Sequence, residues 1–295
     1  MGKHAYLILA HKNLGQLKTL IKLLDHERND IFVHIDRRTR INPKEWEGLT
    51  DKSELVILDK RQKVHWGGVS IMRAELALLK EATSKGNYDY YHLLSGQDLP
   101  IKRQDDIHAF FDNNPGKEFI NFWELQPYNV SRFHYYTLFP EWEHPFHTRL
   151  INQLGKGIQM AVGYRRNRDI DFRMASQWFS ITDSLARYVV AKEDWLEQVF
   201  SHTSLCDEIF MATLVWNSPF RDKIYIPSAV ETNRTSNESN MRYIDWNRGE
   251  SSHHPWTFRE QDFELLMSVP HLWARKFDEK TDPAIIEKIT HTLKP

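Results

Sequence analysis

The chain has 295 residues and a formal net charge of -1, enough length for one large α/β domain or two small ones. The near-neutral charge excludes a dedicated nucleic-acid binder, which would carry a basic excess. A single cysteine, Cys206, excludes an internal disulfide framework and indicates a reducing compartment. No apolar run is long enough for a membrane span, and the apolar part of residues 1–10 is too short for a signal peptide. We therefore expect a cytoplasmic protein.

The first half of the chain alternates short apolar runs with segments of helical periodicity. For example, Leu17, Leu20, Ile21 and Leu24 have the spacing of one helix face. The predicted strands are 6–10, 31–36, 55–58, 90–94 and 118–122, and the predicted helices are 15–24, 70–82 and 104–111. This alternation predicts a mostly parallel sheet with crossover helices.

The predicted strand 90–94 ends abruptly at Ser95, Gly96, Gln97 and Asp98. The small residues allow the backbone to approach a ligand, and one carboxylate stands at the carboxyl end of the strand, where open α/β sheets bind ligands. Neither a Gly-x-Gly-x-x-Gly motif after the first strand nor a Gly-x-x-x-x-Gly-Lys-Ser/Thr motif is present. Their absence argues against a nicotinamide enzyme and a P-loop ATPase.

The second half is less periodic. Aromatic residues, histidines and arginines dominate 124–173, which we interpret as an irregular lid or binding loop, although its basic cluster fits a solvated face equally well. Strands are predicted at 177–181 and 223–227, helices at 184–192 and 207–215, a loop at 232–240, and a final helix from about 257 or 259 through 267.

Eight short segments, in a shared order along nearly the whole chain, resemble the Core-2/I-branching glycosyltransferases. This family includes the β-1,6-N-acetylglucosaminyltransferases and the peptide O-xylosyltransferases. The segments are Ala-His-Lys at 10–12, Val-His-Ile-Asp at 33–36, Val-His-Trp-Gly-Gly-Val-Ser at 64–70, Leu-Ser-Gly-Gln-Asp-Leu-Pro-Ile at 94–101, Ser-Gln-Trp-Phe at 176–179, Asp-Glu at 207–208, Arg-Tyr-Ile-Asp-Trp at 242–246 and Ala-Arg-Lys-Phe-Asp at 274–278.

The resemblance implies a GT-A-type fold, which is α/β with a mostly parallel central sheet flanked by helices. We expect one domain over residues 1–295, with a nucleotide-sugar half at 1–122 and an acceptor-binding and catalytic half at 123–295. The resemblance further implies an NDP-sugar donor, inverting transfer to a hydroxyl, and no bound metal. The nucleotide sugar is a substrate, so no cofactor is expected.

The candidate catalytic base is Glu208. It falls in the first turn of the predicted helix 207–215, where the helix dipole favours an ionised carboxylate. Local sequence alone favours ordinary capping by Ser204, Asp207 and Glu208, whereas the resemblance favours the base. Arg275 and Lys276 would offset the charge of the departing diphosphate. Without the resemblance they are an unremarkable basic pair on a surface.

Donor-binding residues are predicted in the loops after the first strands. His11 and Asp36 lie there, and Asp36 suits ribose or uracil donors, although a strand-ending turn has the same sequence. Trp66, Gly67 and Gly68 precede a predicted helix and would place amides near an anion, as would a plain loop-to-helix junction.

Asp98 stands alone where many GT-A enzymes place a metal-binding Asp-x-Asp pair. It is therefore another predicted donor-binding residue, and no metal site is predicted. The literal Asp-x-Asp copy at 169–171 lies among arginines, and its expected role is local charge pairing.

For the acceptor, the resemblance points to Glu124 and Arg132. Trp178 could form a stacking floor, and Tyr243 and Trp246 a wall, although each of these three aromatic residues fits a core position better on local grounds. A basic residue that some relatives use near the donor pyrophosphate falls here around His253 and His254.

The vertebrate members of the family are membrane-anchored, luminal and disulfide-rich, so the single cysteine makes this chain resemble a bacterial cytoplasmic relative. The expected reaction is transfer of N-acetylglucosamine from its UDP form to a carbohydrate acceptor during synthesis of a surface polysaccharide. A lipid-linked acceptor would add peripheral membrane association. Three alternatives stay open: a metal-dependent transferase using Asp98, a glycoside hydrolase with Glu208 in its carboxylate pair, and a non-catalytic glycan-binding protein.

Overall fold

The computed structural model describes residues 2–141, 146–227, 238–249 and 254–294. His253 and positions 232–237 of the predicted loop lie outside these residues. The strands are β1 (His4–Ala10), β2 (Asn29–Ile35), β3 (Glu54–Ile57), β4 (Tyr90–Ser95), β5 (Asp98–Pro100), β6 (Phe119–Trp123), β7 (Met174–Thr182), β8 (Arg242–Ile244) and β9 (Trp273–Arg275). The α-helices are α1 (Leu14–Leu24), α2 (Val69–Lys85), α3 (Gln104–Asp112), α4 (Pro127–His134), α5 (Phe146–Ala161), α6 (Asp183–Ala191), α7 (Glu193–Phe200), α8 (Phe210–Trp216), α9 (Phe263–Ser268) and α10 (Pro283–Leu293).

The central sheet has the strand order β3-β2-β1-β4-β7-β6. β1 to β4 pair in parallel, and β7 is antiparallel to both of its neighbours. All strands but β7 therefore run in one direction, which confirms the predicted α/β class with a mostly parallel sheet. The inner strands β2 and β4 are buried along their whole length, as their apolar sequences require when helices cover both faces.

The two faces of the sheet carry two separate apolar cores. Leu7 and Phe32 point to one face, where they pack with Leu79 of α2 and with residues of α6 and α8. Their neighbours Tyr6 and Ile31 point to the other face, which α1, α3 and α10 cover. This separation follows from the two-residue period of side chains along a strand.

A second sheet of order β5-β9-β8 was not predicted. Its strands are three residues long and show no readable periodicity. Buried Arg242 of β8 ties this sheet to the central one. Its guanidinium donates hydrogen bonds to Ser180 Oγ (3.0 Å), to the Phe179 carbonyl (2.6 Å) and to the Leu93 carbonyl (3.3 Å).

Several predicted elements are corrected. Region 124–173 is not irregular, because it contains α4 and α5, whose glycines and histidines weaken the helical signal. The predicted helix 207–215 begins as a 3-10 turn, Cys206–Glu208, and becomes α-helical only at Phe210. The predicted strand 223–227 is reduced to one bridge, between Ile224 and Glu118. α9 is not the final helix, since α10 follows it, and α7 was also missed.

Among the described residues, we find no helix that combines the length and the apolar character needed to cross a bilayer.

Candidate active site

The carboxyl ends of the parallel strands bring three predicted donor-binding residues together. His11 follows β1, Asp36 follows β2, and Arg275 ends β9 of the second sheet. Burial lowers the pKa of the His11 imidazole, Lys12 and Arg275 lower it further, and Asp36 opposes them. His11 therefore lies within electrostatic reach of both Asp36 and Arg275, as expected for loops at one edge of an α/β sheet.

Asp36 is a buried carboxylate surrounded by donors. It accepts hydrogen bonds from the backbone N–H of Arg38 (2.7 Å), from the Arg38 guanidinium (3.0 Å) and from the backbone N–H of Val64 (2.9 Å). Burial alone would raise the pKa of Asp36, but these hydrogen bonds outweigh it and lower the pKa to about 2. Asp36 thus holds the loop before α2 and orients Arg38, an arginine that the sequence analysis did not single out.

The Trp66-Gly67-Gly68 loop lies between the candidate base and the sheet edge that carries His11 and Asp36, which we call the donor edge. Gly67 has a left-handed φ of 69°, and its carbonyl accepts a hydrogen bond from the Leu205 N–H at 2.8 Å. Leu205 immediately precedes the turn that carries Glu208. Trp66 itself is about half exposed (53%).

A carboxylate of the protein itself lies at the N-terminus of α2. The carboxylate of Glu141 accepts hydrogen bonds from the Ser70 hydroxyl (2.9 Å) and the Ser70 N–H (3.3 Å). A Cβ atom at Gly68 would lie 1.7 Å from that carboxylate, so any other residue here would require the Glu141 side chain to move. The position is therefore suited to bind negative charge.

Asp98 and Arg275 form a pair at the start of the second sheet. The Arg275 guanidinium donates to the Asp98 carboxylate at 2.8 Å and also to the Ser95 hydroxyl. The remaining Asp98 oxygen accepts from the Ser95 N–H at 2.8 Å. Asp98 therefore acts here as the anchor that holds Arg275, whose guanidinium lies 4.6 Å from the ring centroid of Trp178.

Lys276 follows Arg275 and is partly exposed. Its carbonyl accepts a hydrogen bond from the Phe258 N–H at 2.9 Å, which fixes the backbone at the end of β9. Asp98 of β5 thus holds the Arg275 side chain, and Phe258 holds the backbone of Lys276.

The candidate base lies in a group of carboxyls. Glu208, whose side chain is 30% exposed, is 4.0 Å from Arg132 of α4. Burial raises the pKa of Glu208 to about 8, and the neighbouring Asp207 adds to this rise while Arg132 opposes it. Burial also raises the pKa of Asp207 to about 6. The structure therefore joins the predicted base to one predicted acceptor residue and makes Glu208 a better proton acceptor than an ordinary carboxylate.

Behind this pair lies Glu75 of α2, which the sequence analysis missed. It is fully buried, and its carboxyl accepts a hydrogen bond from the Gln177 side chain at 2.8 Å. Burial raises the pKa of Glu75 well above its usual value, Gln177 partly offsets this, and Asp207 adds to it. The available signal was a lone carboxyl between Met72 and Leu79 on the apolar face of a helix.

Two neighbouring residues of β7 contact the carboxyls around Glu208 on one side and the Asp98–Arg275 pair on the other. In β7 the pairing of His92 with Ser180 places Gln177 and Trp178 near the carboxyl end of β4. Successive side chains of a strand point to opposite faces. Gln177 accordingly contacts Glu75 on the side of the carboxyls, whereas Trp178 supports Arg275 on the other side.

The remaining predicted acceptor residues lie in different parts of the structure. Glu124 is exposed just after β6 and accepts a hydrogen bond from Gln126 at 3.1 Å. Trp246 is partly buried and packs against the core cluster that contains Trp178. Tyr243 instead packs in the other core, where its ring stacks on Phe258. The structure does not bring Tyr243 to Glu208.

Acidic residues elsewhere have local roles. The predicted charge pairing of the Asp-x-Asp copy is confirmed for Asp171, which accepts hydrogen bonds from Arg173 and from Trp216 Nε1 at 2.8 and 2.9 Å. Within the described part of the chain, no three His, Cys, Asp or Glu side chains are grouped as metal ligands would be.

A family model for Core-2/I-branching enzymes matches residues 4–267. The chain belongs to this family. Its membership confirms the resemblance read from the sequence and, with the mixed α/β sheet, the predicted GT-A-type fold. Rat xylosyltransferase 2 is 28% identical over 96% of this chain and 33% of its own length. Human xylosyltransferase 1 is 23% identical over 98% of this chain and 30% of its own length. The chain thus spans about a third of the length of these curated relatives.

Two solved structures are similar at a distant level. S. aureus TarS 1–349 in complex with UDP aligns with a TM-score of 0.30 and 15% identity, over 42% of this chain and 36% of that one. The apo form of mouse xyloside xylosyltransferase 1 aligns with a TM-score of 0.36 and 9% identity, over 93% of this chain and 97% of that one. Both are too distant to bear on the site.

Proposed function

We propose that this protein is an inverting glycosyltransferase that moves a sugar from a nucleoside diphosphate donor to a hydroxyl of a carbohydrate acceptor, without a bound divalent metal. The donor we propose is UDP-N-acetylglucosamine, in the synthesis of a bacterial surface polysaccharide. The observation that supports this function best is the raised pKa of Glu208, which lies 4.0 Å from Arg132.

In the proposed reaction, the Glu208 carboxylate removes the proton from the acceptor hydroxyl. The hydroxyl oxygen attacks the anomeric carbon from the side opposite the diphosphate, and the bond between that carbon and the diphosphate oxygen breaks. The diphosphate leaves with the electron pair and its charge is offset by Arg275 and Lys276. Such preorganised charge stabilises a transition state more than it stabilises the substrate.

The pairing of Asp98 with Arg275 supports a cationic side chain in place of a metal. Both Asp98 oxygens already accept hydrogen bonds from Ser95 or Arg275. A metal bound at Asp98 would have to displace this guanidinium, which itself carries the charge that the leaving diphosphate needs.

The donor sugar has a second candidate. The relatives are named xylosyltransferases, so UDP-xylose is tested beside UDP-N-acetylglucosamine. Asp36 is buried and Trp66 is half-exposed at the loops where we propose that the donor binds.

The test is a thermal-shift panel of UDP, UDP-N-acetylglucosamine and UDP-xylose, each with and without excess EDTA, followed by transfer to an acceptor panel. We expect UDP and one UDP-sugar to raise the melting temperature equally in both conditions. Glu208→Gln should retain this donor shift and lose transfer by about 100- to 10,000-fold, the usual contribution of a general base.

The outcomes separate the alternatives. Donor binding that disappears with EDTA and returns with Mg²⁺ would establish the metal-dependent reaction at Asp98. Release of free sugar from an oligosaccharide without any nucleotide would establish a hydrolase. Glycan binding with no UDP shift would leave only a glycan-binding protein. Normal transfer by Glu208→Gln would show that another residue is the base.

A further inference from the structure

Helix α5 packs against the protein through its polar side rather than its apolar side. Its inward side carries Asn152 and Gln159, whose side chains hydrogen-bond the backbone of the adjacent segment at Phe139 and Tyr136 at 2.8–3.1 Å. A Cβ atom at Gly155, on the same side, would lie 3.3 Å from a methyl carbon of Leu138. A surface helix of a globular protein normally turns its apolar side inward. Here the polar and small residues face the protein.

The apolar side of α5 faces solvent. Phe146, Leu150, Leu154 and Ile158 follow one another at four-residue intervals, which places them on one side of the helix. Phe146 is 81% exposed, Leu154 59% and Ile158 66%. The exposed apolar residues of α5 and its flanks are Tyr136, Leu138, Phe139, Phe146, Leu150, Ile151, Leu154, Ile158, Met160, Val162 and Tyr164. So many exposed large apolar side chains in one segment indicate an interaction site.

The same segment is strongly basic. Residues 146–168 contain five Lys or Arg residues and no Asp or Glu, in a chain whose net charge is -1. Arg149, Arg165 and Arg168 are exposed. Three exposed arginines therefore lie on α5 or shortly after it, whereas Arg166 of the same segment is buried and donates to the Val199 carbonyl.

The positive charge of this segment favours one kind of partner over another. Two copies of the chain that met through α5 would bring these positive charges against one another, which disfavours self-association. An anionic lipid surface offers both requirements at once, because headgroups attract Lys and Arg while the acyl boundary takes up the apolar side chains.

We propose that α5 is a membrane-surface helix, which lies in the interface of an anionic bilayer with Leu154 and Ile158 inserted and Arg165 and Arg168 at the headgroups. The inference goes beyond the proposed reaction and does not need it. The surface adjoins the donor edge, since the segment packed on α5 leads into Glu141 at the N-terminus of α2. A bilayer bound here would lie beside the proposed site.

The experiment is co-sedimentation of the full chain with sucrose-loaded vesicles, either of phosphatidylcholine alone or with 30% phosphatidylglycerol. We expect binding to the anionic vesicles only, weakening as salt is raised. The double variant Leu154→Glu/Ile158→Glu should weaken binding by at least about tenfold, and Arg165→Gln and Arg168→Gln by about fivefold each. These side chains are exposed, so folding is checked simply by circular dichroism.

A matched control is Leu265→Glu, on α9, where the leucine is 40% exposed and outside the basic segment; its vesicle binding should equal that of the wild type. The proposal is overturned if the wild type binds neither vesicle, or if the double variant binds as the wild type does. It is also overturned if light scattering shows a dimer that the double variant dissociates while vesicles bind nothing. Because no donor is present, failure here leaves the proposed reaction untouched, and failure of transfer leaves this inference untouched.

Discussion

Asp36, which follows β2, and Glu208, in the turn before α8, are two carboxyls with opposite behaviour. Hydrogen bonds from Arg38 and Val64 outweigh burial and lower the pKa of Asp36 to about 2, whereas burial beside Asp207 raises the pKa of Glu208 to about 8. Burial acts in the same direction on both, so the difference comes from the donors around them. The comparison teaches that Asp36 is a permanent charge that shapes the donor loops, and Glu208 is a group that can take up a proton.

The largest effect is predicted at Arg275, which we propose offsets the charge of the leaving diphosphate. Arg275→Met should lower kcat by about 100- to 1,000-fold, the loss expected when one transition-state donor is removed. Arg275→Lys keeps the charge but not the fork geometry, so it should be intermediate. The measurement is steady-state transfer with melting curves beside it, because the change also leaves Asp98 without its cationic partner.

The control for that prediction is Arg221→Met, an exposed arginine that stacks on Trp216; its transfer rate should stay within about twofold, as is usual for surface changes. If Arg275→Met transfers as fast as this control, the charge that meets the diphosphate lies elsewhere.

A smaller effect is expected at Asp36. Asp36→Asn should lower the free energy of unfolding at pH 7 by about 1–3 kcal/mol, since its hydrogen bonds to a charged group are lost. A carboxyl whose pKa is lower in the folded state than in the unfolded state stabilises the fold at higher pH. This stabilisation is lost on acidification. The wild type should therefore lose this contribution as the pH falls from about 4 to about 2, and the variant should not.

Urea unfolding at several pH values measures this difference. Exposed Asp51→Asn serves as the matched control and should change stability by less than about 0.5 kcal/mol. Equal stability of Asp36→Asn and wild type at pH 7 would mean that Asp36 is not held as a charge.

The smallest effect is predicted for the conservative variant Glu75→Gln. Burial raises the pKa of Glu75 well above its usual value, so the neutral side chain of Glu75→Gln should leave the transfer rate within about threefold of the wild type. Glu75→Ala should instead cost about 2–4 kcal/mol, because it opens a cavity and leaves Gln177 without its buried acceptor. The first is measured by transfer assays and the second by urea unfolding at pH 7. A large loss of transfer in Glu75→Gln would indicate that Glu75 is ionised.

The sequence predicted what local pattern encodes. Apolar runs and one-sided helices located most elements of the first half, and motif order located the family and the turn with Glu208. The second sheet was missed because three residues per strand give no period, and its place depends on Arg242 reaching Ser180 across 62 positions. The pKa values of Asp36 and Glu208 were equally hidden, since the Val64 N–H that donates to Asp36 and the Arg132 beside Glu208 come from distant segments.

The most direct test of the central claim is the pH dependence of kcat/KM for transfer. A base with a pKa of about 8 must lose its proton before it can act, so kcat/KM should rise about tenfold per pH unit up to about pH 8 and level off above it. Glu208→Gln should abolish this rise together with the activity. A profile that is already level from pH 6 upward would contradict the assignment of Glu208 as the base.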